Sequence, residues 1–257
     1  MTWPTFPIAF YPVAILAILL TGISKGGFAT GAGGIAVPLM SIFIAPAEAA
    51  GIMLPILCAM DLFGVHAWRG RWSHAHLRAL IPGALIGIAI GGFAFGALAP
   101  DTVRLLVGVI ACVFAVNQGL RLSERIAARF AMKSRPPGRI AGIVWGGLAG
   151  FTSTLAHAGG PPFAIYMLPQ NLDKNVLVAT SALFFLVVNY AKIIPYALIG
   201  QLNPVNLGAS LLFAPLAPLG IWLGVWLHRR ISDRAFFRIT YSLLFATGAK
   251  LVYDALA

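Results

Sequence analysis

Apolar runs separated by short polar connections make up most of this chain. Several runs hold few or no charged residues over about 20 positions, the length at which a helix crosses a bilayer core of about 30 Å. A shorter run, 47–66, contains one acidic residue, Asp61. The pattern therefore predicts an all-α polytopic membrane protein. The runs of full length are 79–98, 101–120, 176–198, 206–227 and 235–255.

Two glycine-rich stretches interrupt this pattern at matching places, 25–34 (KGGFATGAGG) and 157–162 (HAGGPP). The last Gly-Gly pair of the first stretch precedes the pair of the second by 126 residues. Irregular backbone at membrane depth is tolerated only where protein buries it or where it lines a cavity, and paired interruptions point to a binding site. The segments that follow, 33–45 and 160–171, are too short to cross alone. Each is expected to fold back as half of a helical hairpin.

The composition agrees, since 60% of the residues are hydrophobic, 10% are charged and the mean hydropathy is +0.89. A soluble domain has about a quarter charged residues. The net charge of +11 lies mainly in connections between apolar runs, where it sets topology and contacts anionic lipid, so no nucleic-acid partner is expected. The three basic connections, predicted cytoplasmic, carry Arg69, Arg71 and Arg78; Arg121, Arg125, Arg129, Lys133, Arg135 and Arg139; and Arg229, Arg230, Arg234 and Arg238.

The connections at 98–101 and 199–206 hold no Lys or Arg and are predicted to face outward. Similar features recur in both halves in the same order, yet the Gly70 connection is predicted cytoplasmic and its Gly200 counterpart external. We therefore predict an inverted repeat of two five-segment halves in the inner membrane, each opening with a glycine-broken helical hairpin, with both termini external. The first predicted repeat covers 1–120, with segments 8–24, 33–45, 47–66, 79–98 and 101–120. A basic cytoplasmic linker with a short interfacial helix follows at 121–138. The second predicted repeat covers 139–257, with segments 139–156, 160–171, 176–198, 206–227 and 235–255.

Lys25 begins the first glycine-rich stretch and costs about 2.5–3.5 kcal/mol to place in the membrane. The glycines let backbone N–H groups converge there, and a half-helix beginning near Gly33 would direct its positive end to the same space. A cation, free amides and a helix dipole together favour an anion. The alternative is that Lys25 ends an ordinary helix and extends to the outer surface.

His157 opens the second stretch and can donate to an anion or take up a proton near physiological pH. Pro161 and Pro162 suit the first turn of a new helix, which leaves the N–H groups of Gly159 and Gly160 free for a ligand. The alternative is a structural histidine bonded to the carbonyl of a neighbouring helix.

Asp61 and Lys192 lie inside long apolar segments at corresponding places in the two halves. Lys192 would add positive charge to an anion site, while Asp61 would either carry a proton or act as a counter-ion to one of the lysines. His74-Ala75-His76 has no Cys or carboxylate cluster beside it, so neither a metal site nor a cofactor is expected.

Three groups of residues resemble the sulfite exporter TauE/SafE family, also called the 4-toluene sulfonate uptake permease family. They are the first stretch with Ser24 and Pro38-Leu39, the second stretch with Tyr166, and the tail 231–251. The resemblance covers essentially the whole chain. It implies a secondary transporter of small anions such as sulfite, sulfonates including sulfoacetate, or two-carbon organic acids, with neither substrate nor direction fixed.

The residues and the resemblance together predict a carrier that moves a small anion by alternating access, with possible proton coupling, and not an enzyme. A passive anion channel with the same positive lining is the first alternative. An intramembrane enzyme is the second, although the sequence shows no clustered acids, His-Glu metal motif or activated nucleophile. The predicted substrate-binding residues are Lys25, Lys192, His157, Gly33, Gly34, Gly159, Gly160, Ser24, Thr152, Asn189 and Tyr166, and the predicted proton-coupling residues are Asp61 and His157.

Overall fold

The computed structural model describes residues 6–27, 32–122, 124–125, 128, 138–228 and 233–257. Within these ranges the chain forms helices and turns, with no β-strand. The predicted all-α fold class is therefore confirmed. The helices are α1 (Phe10–Gly27), α2 (Ala36–Met40), α3 (Pro46–Ala67), α4 (His74–Ala97), α5 (Pro100–Gly119), α6 (Arg139–Ala156), α7 (Gly160–Met167), α8 (Lys174–Leu198), α9 (Pro204–Phe213), α10 (Leu216–His228) and α11 (Asp233–Leu256), with short 3-10 helices at Ala32–Ile35 and Leu168–Gln170.

Four of the described helices, α3, α4, α5 and α8, are long and apolar enough to cross a bilayer. The pair α9 and α10, bent by 43° at the break between them, adds a fifth crossing if it forms one broken span. Helix α1 is apolar but shorter over Phe10–Lys25. The chain is thus a multi-pass membrane protein, as the apolar runs predict.

Helix packing joins the two predicted repeats throughout. Helix α1 packs along α10, and α6, the corresponding helix of the second half, packs along α4. Helices α5 and α11 pack against each other, as do α3 and α8. Helices of each half therefore pack against helices of the other half. The inverted orientation of the halves stays a prediction.

Helices α4 and α6 approach until backbone meets backbone. A Cβ atom added at Gly83 would lie 1.9 Å from the carbonyl oxygen of Ile143, and one added at Gly87 would lie 2.0 Å from that of Gly147. Such close approach between membrane helices requires residues without side chains at the contact. This packing fixes the position of α6, whose C-terminal end leads into the second glycine-rich stretch.

The prediction of one continuous helix over 206–227 is wrong, because the structure divides this segment into α9 and α10. Pro215 lies between them, and a proline has no N–H and clashes with the carbonyl four residues earlier. The carbonyl of that residue, Leu211, instead accepts a hydrogen bond from the Ala214 N–H at 3.3 Å. The break cannot be recognised from hydropathy, because the residues on both sides of Pro215 are apolar.

The first predicted hairpin also has different boundaries. Helix α1 continues through Lys25 to Gly27, and the predicted half-helix 33–45 becomes a 3-10 turn followed by the five-residue α2. Most of the predicted linker 121–138, including most of its interfacial helix, lies outside the described residues.

Candidate functional site

The second glycine-rich stretch is a sharp break between α6 and α7. His157 ends α6 in the left-handed conformation, with φ 52° and ψ 28°, and its N–H donates to the Ser153 carbonyl at 3.0 Å. A residue with a Cβ atom costs about 1–2 kcal/mol in this conformation, where glycine or asparagine is usual. Helix α7 then begins at Gly160, and Pro161 and Pro162 occupy its first turn. Strain held at one histidine is a feature of functional sites.

The first stretch meets this break directly. Gly34, in the 3-10 turn Ala32–Ile35, lies so close to the second break that an added Cβ would be 3.0 Å from the Ala158 Cβ and 3.6 Å from the His157 carbonyl oxygen. Lys25 lies in the last turn of α1, where a cation interacts favourably with the helix dipole. The polar cluster described next therefore draws on both halves of the chain.

Lys192 is the charged centre of this cluster. It lies on α8 with 0% of its surface exposed. Its ammonium group donates to the carbonyl oxygen and to the hydroxyl of Ser153, both at 3.1 Å, and to Nδ1 of His157 at 2.6 Å. Within the described part of the chain no carboxylate lies at ion-pair distance from it. Only uncharged acceptors meet this buried cation.

His157 links Lys192 to the first half of the chain. Since Nδ1 accepts the hydrogen bond from Lys192, it carries no proton, and Nε2 is the protonated nitrogen. Nε2 then donates to the carbonyl oxygen of Ala50, on α3, at 3.1 Å. The imidazole is thus held at both nitrogens in its neutral form, and its contact with Ala50 is the helix-carbonyl bond that the structural alternative anticipates.

Asp61 supplies the one carboxylate of the cluster. It is buried on α3 and forms an ion pair with Lys25 through Oδ1, while its Oδ2 accepts a hydrogen bond from the Asn189 amide. These contacts are those expected of a counter-ion to Lys25. The cluster therefore holds two lysines and one carboxylate, a formal excess of one positive charge.

The polar face of α8 is regular. Asn189, Lys192 and Tyr196 follow at spacings of three and four residues, so they lie on one side of the helix. The Tyr196 hydroxyl donates to the Thr154 carbonyl at 2.6 Å, and its ring lies 6.3 Å from that of His157. Its spacing from Lys192 is the signal that could have identified Tyr196 from the sequence.

Ser153 was also missing from the predicted set, although it is four residues before His157 and its hydroxyl contacts Lys192. The neighbouring Thr152 has a different role. Its hydroxyl donates to the Leu148 carbonyl at 2.8 Å and lies 3.1 Å from the Ala158 carbonyl, so it ties the break to α6. Helical spacing is compatible with either Ser153 or Thr152 contacting Lys192. The rotation of α6 about its axis determines which of the two does so.

Other predicted residues lie at the junction or apart from it. Ser24 is buried beside Lys25 in the chain, and Gly33 lies in the same 3-10 turn as Gly34. Gly159 and Gly160 lie at the start of α7, where backbone N–H groups lack intrahelical partners. Tyr166 lines a separate cavity with His76 and Arg78, and among the described residues its ring pairs with His76 and not with His157.

A multi-pass helical fold in which helix breaks meet beside a buried cationic side chain is typical of a membrane transporter. The family model for the sulfite exporter TauE/SafE matches residues 14–251. The chain therefore belongs to the TauE/SafE family of sulfite exporter-type membrane transporters. Comparisons with curated proteins and with solved structures gave no significant match.

Proposed function

We propose that this protein is a secondary transporter that moves a small anion, such as sulfite, a sulfonate or a short organic acid, by alternating access around Lys192. The observation that carries the proposal is the complete burial of Lys192 with uncharged partners. A buried cation is costly unless it is paired. A transported anion would supply the missing charge.

The contacts of Lys192 explain how the anion would be held. Displacing the hydrogen bonds to the Ser153 hydroxyl and to Nδ1 of His157 frees ammonium N–H groups for the anion. A donor from His157 then requires rotation of the ring or protonation of Nδ1. The starts of the Ala32–Ile35 turn and of α7 lie at the same junction, where their amides would add partial positive charge.

The set of binding residues is narrower than the sequence predicts. Lys192, His157, Ser153 and Lys25 form the proposed anion shell, with the amides of the two breaks and Ser24 behind them. Asn189 holds Asp61. We leave Thr152 and Tyr166 out of the shell, because their recorded contacts lie elsewhere.

Alternating access would act on the contacts that join the halves. The bonds from Asn189 to Asp61 and from His157 to Ala50 connect the second half to the first. The exchanged helix pairs, α1 with α10 and α4 with α6, mean that units that rock against each other would each contain helices of both halves. This packing supports the inverted repeat that we propose for the chain.

We also propose that proton uptake by His157 or Asp61 is coupled to anion transport. A proton on Nδ1 of His157 would break its hydrogen bond from Lys192, because both groups would then be donors. The cluster would gain a positive charge and bind an anion more tightly. Asp61 is the second proposed proton carrier, although its contacts with Lys25 and Asn189 suit a counter-ion.

The decisive variant is Lys192→Gln, with Lys174→Gln as its control because Lys174 lies exposed at the start of the same helix. In proteoliposomes we expect sulfite or sulfoacetate flux to be lost in Lys192→Gln and kept in Lys174→Gln. Binding of the same anions, measured as a thermal shift of the purified protein, should follow flux. Unchanged anion binding in Lys192→Gln would contradict the site.

Kinetics separate the carrier from its alternatives. A carrier shows saturable flux that is accelerated by substrate on the opposite side, whereas a channel shows ohmic current without counterflow. Chemical conversion of the anion by the purified protein would instead favour an intramembrane enzyme. A flux that rises with an imposed pH gradient and loses this response in Asp61→Asn would assign the coupling to Asp61.

We also propose an inner-membrane location with both termini external. Arg78, from the first basic connection, lines the same cavity as Arg139, from the second, which supports a shared side for those connections. Reporter fusions at the two ends would test the orientation, and a cytoplasmic signal from either end would contradict it.

A further inference from the structure

A cavity of about 520 Å³ lies where α4 and α6 both begin. This volume falls within the range of about 300–1,000 Å³ typical of small-molecule sites. The cavity is separate from the Lys192 cluster, since none of the residues that line it contacts that lysine. Its polar lining comes from both helix starts and from α7 and the turn after it: His76, Arg78, Gly138, Arg139, Tyr166 and Gln170.

Neither helix N-terminus at this cavity carries a compensating acid, a feature it shares with most of the described helices. Acidic residues commonly occupy the first turn of a helix, because the backbone there carries a partial positive charge. Neither α4 nor α6 has an acidic residue in its first turn, and neither N-cap residue, Ser73 or Gly138, forms a side-chain cap. Arg139 is the first residue of α6, and Arg78 lies one turn into α4. Their charge adds to that of the two helix ends.

The two arginines have no acid to neutralise them. Within the described part of the chain neither Arg78 nor Arg139 forms an ion pair. The sequence from 126 to 138, which leads into α6, contains no Asp or Glu. The positive charge of the cavity is therefore open to a ligand.

Tyr166 is the second sign of a ligand. Its side chain is buried, with 3% of the residue exposed, yet its hydroxyl makes no hydrogen bond within the described ranges. The ring packs against His76, with ring centroids 6.2 Å apart. The hydroxyl oxygen is not one of the buried unpaired atoms of the described residues, so it is accessible from the cavity. There it lies beside guanidinium groups, where a ligand oxygen would accept its hydrogen bond.

We infer that this cavity is a second anion site, which binds a phosphate group through Arg78, Arg139 and the Tyr166 hydroxyl. Guanidinium groups bind phosphate oxygens in bidentate geometry, and helix N-termini favour the same ligand. The phosphate is carried either by a free solute or by the headgroup of an anionic lipid. The site acts independently of the proposed transport centre.

The test measures two probes on the purified protein. Inorganic phosphate, titrated in neutral detergent, represents the free anion, and phosphatidic acid in phosphatidylcholine nanodiscs represents the lipid headgroup. We expect Arg78→Gln/Arg139→Gln to weaken binding at least about tenfold, the equivalent of losing one good charge-assisted contact. Tyr166→Phe, which keeps the ring, should weaken it less. Binding of either probe with this pattern supports the site, and which probe binds identifies its source.

Matched variants make the result decisive. Arg69→Gln/Arg71→Gln removes the same net charge from the exposed turn before α4 and should bind both probes like the wild type. Lys192→Gln should also keep this binding even if it stops transport. The proposal is overturned if neither probe binds the wild type, if the control pair weakens binding as much as Arg78→Gln/Arg139→Gln does, or if Lys192→Gln abolishes it.

Discussion

The two glycine-rich breaks carry a cation in opposite ways. In the first, Lys25 lies in a regular helical turn, is 24% exposed and is neutralised by Asp61. In the second, His157 has a strained backbone and contacts a fully buried lysine that no acid in the described ranges neutralises. The cation of the first break is already paired with a carboxylate. The lysine at the second break has no carboxylate partner in the described ranges, so an anion could pair with it. The comparison suggests that substrate recognition centres on the second break and that the first supplies a closing contact.

The largest expected effect comes from removing the acid that completes the first break. Asp61→Ala should lower the free energy of unfolding by about 2–3 kcal/mol, less than for a fully buried pair because Lys25 is partly exposed. Thermal unfolding of the purified protein measures it. The double variant Lys25→Ala/Asp61→Ala should recover much of this loss. A double variant as unstable as the single one would show that Asp61 does not act mainly through Lys25.

Two substitutions of His157 should distinguish the cost of its backbone conformation from the role of its side chain, with a smaller effect on stability. His157→Gly should be about 1 kcal/mol more stable than His157→Ala, because glycine adopts the left-handed conformation without strain. Both should bind sulfite more weakly than the wild type, since both lack the imidazole. Unfolding and binding measurements on the same samples give both values. Equal stability of the two variants would contradict the strain at this position.

Ser153 and Thr152 test which face of α6 meets Lys192. Ser153→Ala should weaken anion binding by about 1 kcal/mol, or roughly fivefold, because its hydroxyl, once released from the Lys192 ammonium, is a donor in the proposed anion shell. Thr152→Ala, the neighbouring control, should change affinity less because its hydroxyl bonds to backbone carbonyls. Isothermal titration with the transported anion compares them. The reverse order of effects would support the choice of Thr152 made from the sequence.

The smallest effect should come from the contact between the breaks. An added methyl group in Gly34→Ala would lie 3.0 Å from the Ala158 Cβ, so one break must shift slightly. We expect under about 1 kcal/mol of destabilisation and a slower turnover with little change in affinity. Gly119→Ala, where a Cβ meets nothing within 4 Å, is the control. An equal slowing in both variants would argue against coupling through this contact.

Sequence reasoning identified the fold better than the orientation of side chains. Apolar runs predicted α3, α5 and α6 to within a residue or so at each end, because burial in lipid requires a long uncharged helix. The break at Pro215 is not predicted, because the residues around it are apolar enough to continue a span. The choice between Thr152 and Ser153, and the direction of Tyr166, depend on how α6 and α7 rotate against α4 and α8. Packing between distant segments sets that rotation, and helical spacing alone does not.

Asp61 has one further consequence for the transport cycle. A carboxylate fixed beside Lys25 is an internal competitor, present at an effective concentration at least on the order of millimolar. In the proposed cycle, a free anion that reaches Lys25 would have to displace this competitor, and the same carboxylate would return to expel the anion afterwards. In that cycle the protein would bind the anion less tightly and release it faster. A transporter that must empty its site in every cycle gains from carrying its own displacing ion.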